Sequence, residues 1–394
     1  MTSQRNKPGQ GSVYQRKDGY FVAQVHIGQD DNGKPKYARK TFKAESDALI
    51  WRDKAIVEYR LGTFIIPSTI TLGEWMDIWL EQYARPNVRP KTYECYEYIT
   101  RLHLKPKLGN VKIQSLQTTQ LQRLLNEKRQ SGLATRTVEL ILTTARTALK
   151  QAMHDELINK NAADHVRKPK PSPKQISVFT VDQMKEFMFV AEEDRLWIAF
   201  KLLLGTGMRV GELLALKWGD INLERGHIDV TKGTVLVKNE HGPNKTHQII
   251  QEPKTKNGYR RIPITEDLVR QLKRWHFLQF FEKKNAEGKY EDSGLVVTTK
   301  KGRMVTQRNL ATKFHRLLAK AEIPKTNLHS LRHTYATRLL EAGVHPKVVQ
   351  ELLGHGSIRI TLDTYSHVLP DVKKQAIDKI EGMLSPRKMG RVWV

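Results

Sequence analysis

The stretch Leu353-Gly354-His355-Gly356-Ser357-Ile358-Arg359-Ile360-Thr361-Leu362-Asp363-Thr364-Tyr365-Ser366-His367-Val368 sets a histidine behind a glycine and a tyrosine ten residues further on. Gly354 has the place of a glycine that ends a helix. His355, just past it, is suited to donate a hydrogen bond to a phosphoryl oxygen, although a helix dipole also favours a surface histidine there. Tyr365 is a candidate nucleophile. A phenol has a reference pKa of about 10, so it reacts near neutrality only with cations or a base beside it. The chain has 12 tyrosines, and most must be ordinary buried aromatics.

Working outward, three more segments carry residues suited to a phosphodiester. His329-Ser330-Leu331-Arg332-His333 puts His329 and Arg332 three apart, on one helix face. That pair sets a proton acceptor beside a phosphate clamp. Gly205-Thr206-Gly207-Met208-Arg209-Val210-Gly211-Glu212 leads glycines into a helix start, where free backbone N–H groups favour an anion. Arg209 offers a fork for two phosphate oxygens, and Glu212 is placed to hold it by an i,i+3 pair. Lys254 and Lys256 precede Asn257-Gly258, a strong hairpin signal. A lysine at such a tip can protonate a leaving oxygen or contact a DNA backbone. Each segment alone is weak; their order within one basic domain is much stronger.

The chain has 394 residues and a formal net charge of +26, with 67 Lys and Arg against 41 Asp and Glu. Such an excess points to a polyanionic partner, nucleic acid or an anionic membrane. Residues 1–66, 67–170 and 171–394 carry +5, +7 and +14, so the charge is spread over folded sections and is not a tail. No run of about 18 apolar residues is present, which excludes a helical membrane span. The N-terminus lacks the apolar region of a signal peptide. A single cysteine, Cys95, excludes an internal disulfide and a cysteine-based metal cluster, which fits a reducing cytoplasm.

The chain reads as multidomain α+β. Residues 11–43 alternate as three short strands broken by Lys17-Asp18-Gly19 and by 30–35, and 46–60 follow a helical pattern with Ser46 as its cap. This small module, 1–66, carries Arg16, Lys17, Lys36, Arg39 and Lys40 on or beside its strands. Residues 67–165 read as an all-helical domain: Thr71 caps a first helix stopped by Pro86 and Pro90, and helices follow over 92–102, 118–129 and 135–157. Residues 166–177 form a proline-rich linker. Residues 178–394 are mainly helical, with helices near 180–192, 194–204, 209–217, 265–286, 307–321, 329–342, 345–353 and 370–384. A small hairpin sheet is expected over 227–237 and 246–264.

The set Arg209, lysine, His329-x-x-Arg332, His355, Tyr365 resembles the tyrosine recombinase (phage integrase) family. The stretch 353–368 is similar to that family's C-terminal signature, His329–Thr334 to its central one and Gly207–Glu212 to its first. The resemblance spans the chain: 67–165 looks like the helical core-site-binding domain and 1–66 like the arm-site-binding domain of integrases from temperate phages and conjugative transposons. It implies that Tyr365 attacks phosphorus to form a 3′-phosphotyrosyl link while Arg209, Arg332 and His355 hold the non-bridging oxygens. It further implies that His329 takes the tyrosine proton and that Lys254 protonates the 5′-oxygen, with Lys256 open as the alternative. The phosphodiester energy stays in the covalent link, so neither metal nor ATP nor another cofactor is needed. Double-stranded DNA with core and arm sites is the implied partner, with Arg16, Lys36 and Arg39 expected to face a groove. A homotetramer, an excisionase and a host DNA-bending protein are also implied, at a cytoplasmic, nucleoid-associated location. Two rivals stay open: relaxation of supercoils by a type IB topoisomerase, and DNA-binding or architectural use without strand transfer. A membrane-surface role lacks an anchor.

Overall fold

The computed structural model describes residues 11–29, 33–169, 177–238, 246–253 and 256–365. The chain forms two compact units, Met1–Pro173 and Lys174–Val394. Most of the expected linker, Lys254 and the expected helix over 370–384 lie outside the described residues.

The first unit opens with the antiparallel sheet β1 (Gly11–Gln15), β2 (Phe21–Gln29) and β3 (Pro35–Phe42), in that order. Gly19 closes the first turn at φ 85°, a conformation glycine adopts freely. The helix Glu45–Arg60 packs its Ala48 and Ala55 on one face of this sheet, against Ala23, Val25 and Ala38. The N-cap is Ala44, not Ser46, and it makes no side-chain capping bond. Ser46 falls inside the first turn.

The helical part starts at Thr71, whose hydroxyl and Glu74 form a reciprocal capping box. Its core gathers Trp75, Trp79, Leu121, Leu142 and Leu149, and Trp75 Nε1 donates to Ala148 O (2.9 Å). Pro86 does not stop the first helix. The chain widens into a π stretch over Trp79–Ala84 and resumes as Arg85–Asn87, so Pro86 sits in the first turn of a new α segment. Its missing N–H costs nothing there. Pro106 repeats the device after the π stretch Thr100–Leu104.

The second unit is mainly helical around a core in which Phe187, Phe200 and Phe314 meet ring to ring. Two small sheets lie in it: β4 (Ile221–Asn222), β5 (His227–Val230) and β8 (Arg260–Pro263) in the order β4-β5-β8, and the pair β6 (Gly233–Lys238) with β7 (Thr246–Gln251). The hairpin is therefore β6-β7, and Asn257-Gly258 is not its turn. Those residues lie in the short 3-10 turn Lys256–Gly258, which carries the chain from one sheet to the other. Gly258 is absent from the positive-φ glycines and packs so closely on Pro253 that an added Cβ would lie 2.3 Å from its Cβ. The type I′ hairpin turn that Asn-Gly favours needs positive φ at both central residues. The helix Ile358–Tyr365 was not expected from the sequence; it is only eight residues long.

Candidate active site

The helix Trp197–Thr206 ends at Gly207, which takes left-handed backbone at φ 63°. Only glycine suits this place twice over, because a Cβ would lie 2.3 Å from Tyr335 Cδ1. The turn delivers Arg209 to the N-cap position of the helix Val210–Ala215. Glu212 then accepts from the Arg209 backbone N–H (2.8 Å) and from Nη1 (2.8 Å), which is the pairing the spacing suggests.

Glu212 also holds a partner the sequence did not suggest. Arg260 Nη2 donates to Glu212 Oε2 (2.8 Å) and Nη1 to Oε1 (3.2 Å). Burial alone would raise the Glu212 pKa; Arg260, and after it Arg209, outweigh this and lower it to about 2. Arg260 was missed because its partner is 48 residues away. The strand alternation of β8 carries the signal: Ile262 is buried, so Arg260 shares its inward face, while Arg261 points outward to Asp229 (2.8 Å).

The helix His329–Glu341 brings His329 and Arg332 to the same place. Arg332 is 2% exposed, rare for a charged side chain without partners. Its Nη1 donates to Gly207 O and its Nη2 to Leu353 O, both at 2.8 Å. The helix Pro346–Leu353 ends at Gly354, in left-handed backbone at φ 66°. Helix C-termini leave carbonyls without partners. Here side chains take four successive carbonyls at and just beyond that end. Leu352 O accepts from Arg260 Nε (2.7 Å), Leu353 O from Arg332, Gly354 O from Arg209 Nη2 (3.4 Å) and His355 O from Gln350 Nε2 (3.0 Å). Arg209, Arg332 and Arg260 thus anchor the segment that carries His355.

Both histidines favour the neutral form. Desolvation, then the charges of Arg332 and Arg209, lower the His329 pKa. The same causes, with Arg260 and His329 added, lower His355 to about 4. His355 Nδ1 lies 2.9 Å from Thr361 Oγ1, on the helix Ile358–Tyr365. Beside Arg209 and His329 opens a cleft of about 340 Å³, also lined by Gln307, His315 and Asn327. The structure thus gathers Arg209, Glu212, His329, Arg332 and His355, and the helix bearing Tyr365 follows directly. Lys256 lies in the turn that meets this segment, where Gly354 approaches Asn257 O. Among the described residues, no group of three or more His, Cys, Asp or Glu is placed to hold a metal, and no helix is long and apolar enough to cross a membrane.

The structure separates the basic residues of the first unit. Phe42 meets Trp51 of the helix (ring centroids 6.2 Å), so Lys40 and Lys36, of the same parity, lie on the helix side of β3. Arg39 lies on the open face, over Tyr37 (5.7 Å) and across from Gln24. Arg16 pairs with Asp18 (3.1 Å) at the first turn, where Lys17 is exposed.

The chain as a whole is similar to known proteins. The sequence pattern of the Phage integrase family matches residues 177–371, and that of the phage integrase N-terminal SAM-like domain matches 71–129. A "Tyrosine recombinase XerC-like" protein of Caldanaerobacter subterraneus is 33% identical, covering 92% of this chain and 96% of its own. The ICEBs1 integrase of Bacillus subtilis is 24% identical over 95% of this chain and all of its own (100%). Among solved structures, the Tn1549 transposon integrase in complex with transposon right end DNA is 25% identical. It superposes with a TM-score of 0.67, over 79% of this chain and 99% of that one. With two matched domains and a relative aligned along nearly its whole length, the chain belongs to the phage integrase family of tyrosine recombinases.

Proposed function

We propose that this tyrosine recombinase is the integrase of a phage or conjugative element, with Tyr365 as its nucleophile. The convergence of Arg209, Arg332, His329 and His355 on the segment leading into the Tyr365 helix supports this reading most directly. The Tyr365 oxygen attacks a backbone phosphorus. The phenolic proton passes to His329, whose depressed pKa keeps it neutral and able to accept. The bond to the 5′-oxygen breaks, and that oxygen takes a proton from Lys254 or, alternatively, Lys256. The result is a 3′-phosphotyrosyl link and a free 5′-hydroxyl. Arg209, Arg332 and His355 hold the non-bridging oxygens as charge builds in the pentavalent transition state. Attack by another 5′-hydroxyl runs the steps backward and joins a new partner. One phosphodiester is exchanged for another, so the cycle balances without ATP.

Double-stranded DNA is the substrate, and recombination requires four protomers on two sites. The 1–66 module is assigned to arm sites and the 67–165 domain to core sites, joined by the 166–177 linker. Arg39 on the open sheet face is the base reader of the first; Arg16, Lys17, Lys36 and Lys40 are assigned to phosphates. An excisionase and a host DNA-bending protein complete the assembly, which works in the nucleoid. In a test with nicked duplexes spanning the joined ends of the element that encodes the chain, a denaturing gel should show a protein–DNA adduct in EDTA. Tyr365→Phe should show none. An adduct that persists in Tyr365→Phe, or forms only with a divalent metal, overturns the assignment.

A further inference from the structure

His355 is held by a residue that has no part in the chemistry described so far. Thr361 is fully buried (0% exposed), one turn before Tyr365 on the helix Ile358–Tyr365. Its Oγ1 lies 2.9 Å from His355 Nδ1. A buried hydroxyl hydrogen needs an acceptor. A helical threonine usually finds one in the carbonyl four residues back, as Thr143 does at Glu139 O and Thr334 at Ser330 O, each at 2.8 Å. For Thr361 that carbonyl belongs to Ser357, which accepts from the Ile360 backbone N–H (3.2 Å) and forms no bond with the Thr361 hydroxyl. Among the described residues, His355 Nδ1 is the sole partner of the Thr361 hydroxyl. The hydroxyl therefore donates to Nδ1.

A ring nitrogen that accepts is the unprotonated one, so the proton of the neutral imidazole sits on Nε2. The groups facing the ring agree. Arg332, Arg209, Arg260 and His329 surround it, all cations or potential cations, and disfavour a second proton. Among the described residues, no carboxylate acts on the ring, and Glu212 is taken up by the two arginines.

We propose that Thr361 is a positioning residue that fixes His355 in the Nε2–H form, so that the ring offers the phosphoryl oxygen a donor and not a lone pair. This rests on the reading of His355 as a phosphate donor. It gives the Tyr365 helix a second task, because the turn before the nucleophile also sets the donor. The wrong tautomer would point an acceptor at an anionic oxygen and replace attraction by repulsion.

The test uses the full chain labelled with 15N-histidine, read at about pH 7 by two-bond 1H–15N correlation, with the His355 signals identified by their loss in His355→Gln. The wild type should show the Nε2–H pattern. Thr361→Ser should keep it, and Thr361→Val, of nearly the same shape, should show a mixture or the Nδ1–H form. Adduct formation on the nicked duplex should slow about tenfold in Thr361→Val and stay near wild type in Thr361→Ser. A wild-type ring in the Nδ1–H form overturns the proposal. So does a Thr361→Val protein that keeps the wild-type tautomer, whether or not its rate falls, or that changes tautomer without losing rate. A wild type that shows Nε2–H but forms no adduct counts against the DNA-cleavage role of His355, and leaves the Thr361 pairing standing.

Discussion

Arg260 shows how one side chain can serve a site from behind. Its side chain is 6% exposed, and it shares Glu212, itself 10% exposed, with Arg209. One carboxylate between two guanidinium groups leaves net positive charge at Arg209 for a phosphate. Breaking a buried pair by removing one partner costs about 3–5 kcal/mol. Arg260→Met should lose stability on that scale in urea unfolding, and adding Glu212→Gln should recover part of it. Strictly additive losses would show that the two are not coupled. The pH dependence has a definite sign. The folded pKa of Glu212 is depressed to about 2 from an ordinary 4.5, so its stabilisation is present above the ordinary value and lost as pH falls toward about 2. The stability gap between wild type and Glu212→Gln should therefore shrink over that window. A gap independent of pH would refute it. The Arg209–Glu212 pair was legible because its partners are three residues apart, whereas the bonds of Arg332 to Gly207 and Leu353 are not local and left no mark in the spacing. Arg260 and Thr361 were not legible, because one reaches across 48 residues and the other sits in a helix too short to show a period.

Elements reach the site through two glycine helix ends, and Gly207 shows why. Its positive φ and the 2.3 Å approach to Tyr335 act together, whereas Gly343 has positive φ (81°) with nothing within 4 Å of an added Cβ. Gly343→Ala should cost about 1 kcal/mol from backbone strain. Gly207→Ala should cost several times that and displace Arg209; equal losses in urea unfolding would mean that the Tyr335 contact yields freely. Most helices were legible from apolar spacing and caps, with Thr71 the clearest start. The expected end at Pro86 and the hairpin at Asn257-Gly258 were misread for a shared reason. Proline and glycine mark a local change of backbone, and their neighbours decide which structure results. Pro86 starts a new α segment after a π stretch, and Gly258 packs against Pro253 in a turn between two sheets.

At the scale of the molecule, the net charge of +26 is the strongest single statement in the sequence. Its reading as DNA binding predicts steep salt dependence: with six to ten phosphate contacts, affinity should fall roughly 10³- to 10⁵-fold between about 50 and 200 mM salt. A nearly flat response would remove phosphate contact as the main source of affinity. The α+β class was legible because the apolar period changes along the chain from strand to helix and then to a mixture of both. The face on which each cation of the 1–66 module lies was not, since it depends on sheet register and on where the helix packs. Arg39→Ala should relax discrimination among DNA sequences, while Lys40→Ala should weaken binding to all alike, as read by competition binding.

The four capped carbonyls also set a timetable. Arg332 is joined to Gly207 across 125 residues and Arg209 to Gly354 across 145. During synthesis the first unit, which ends at Pro173, has every one of its residues in hand long before Leu353 exists. At about 5–20 residues per second the gap is roughly 10–40 s. A nascent chain can therefore complete its leading unit while Arg209 and Arg332 of the second still lack the carbonyls of Gly354 and Leu353 that late synthesis supplies.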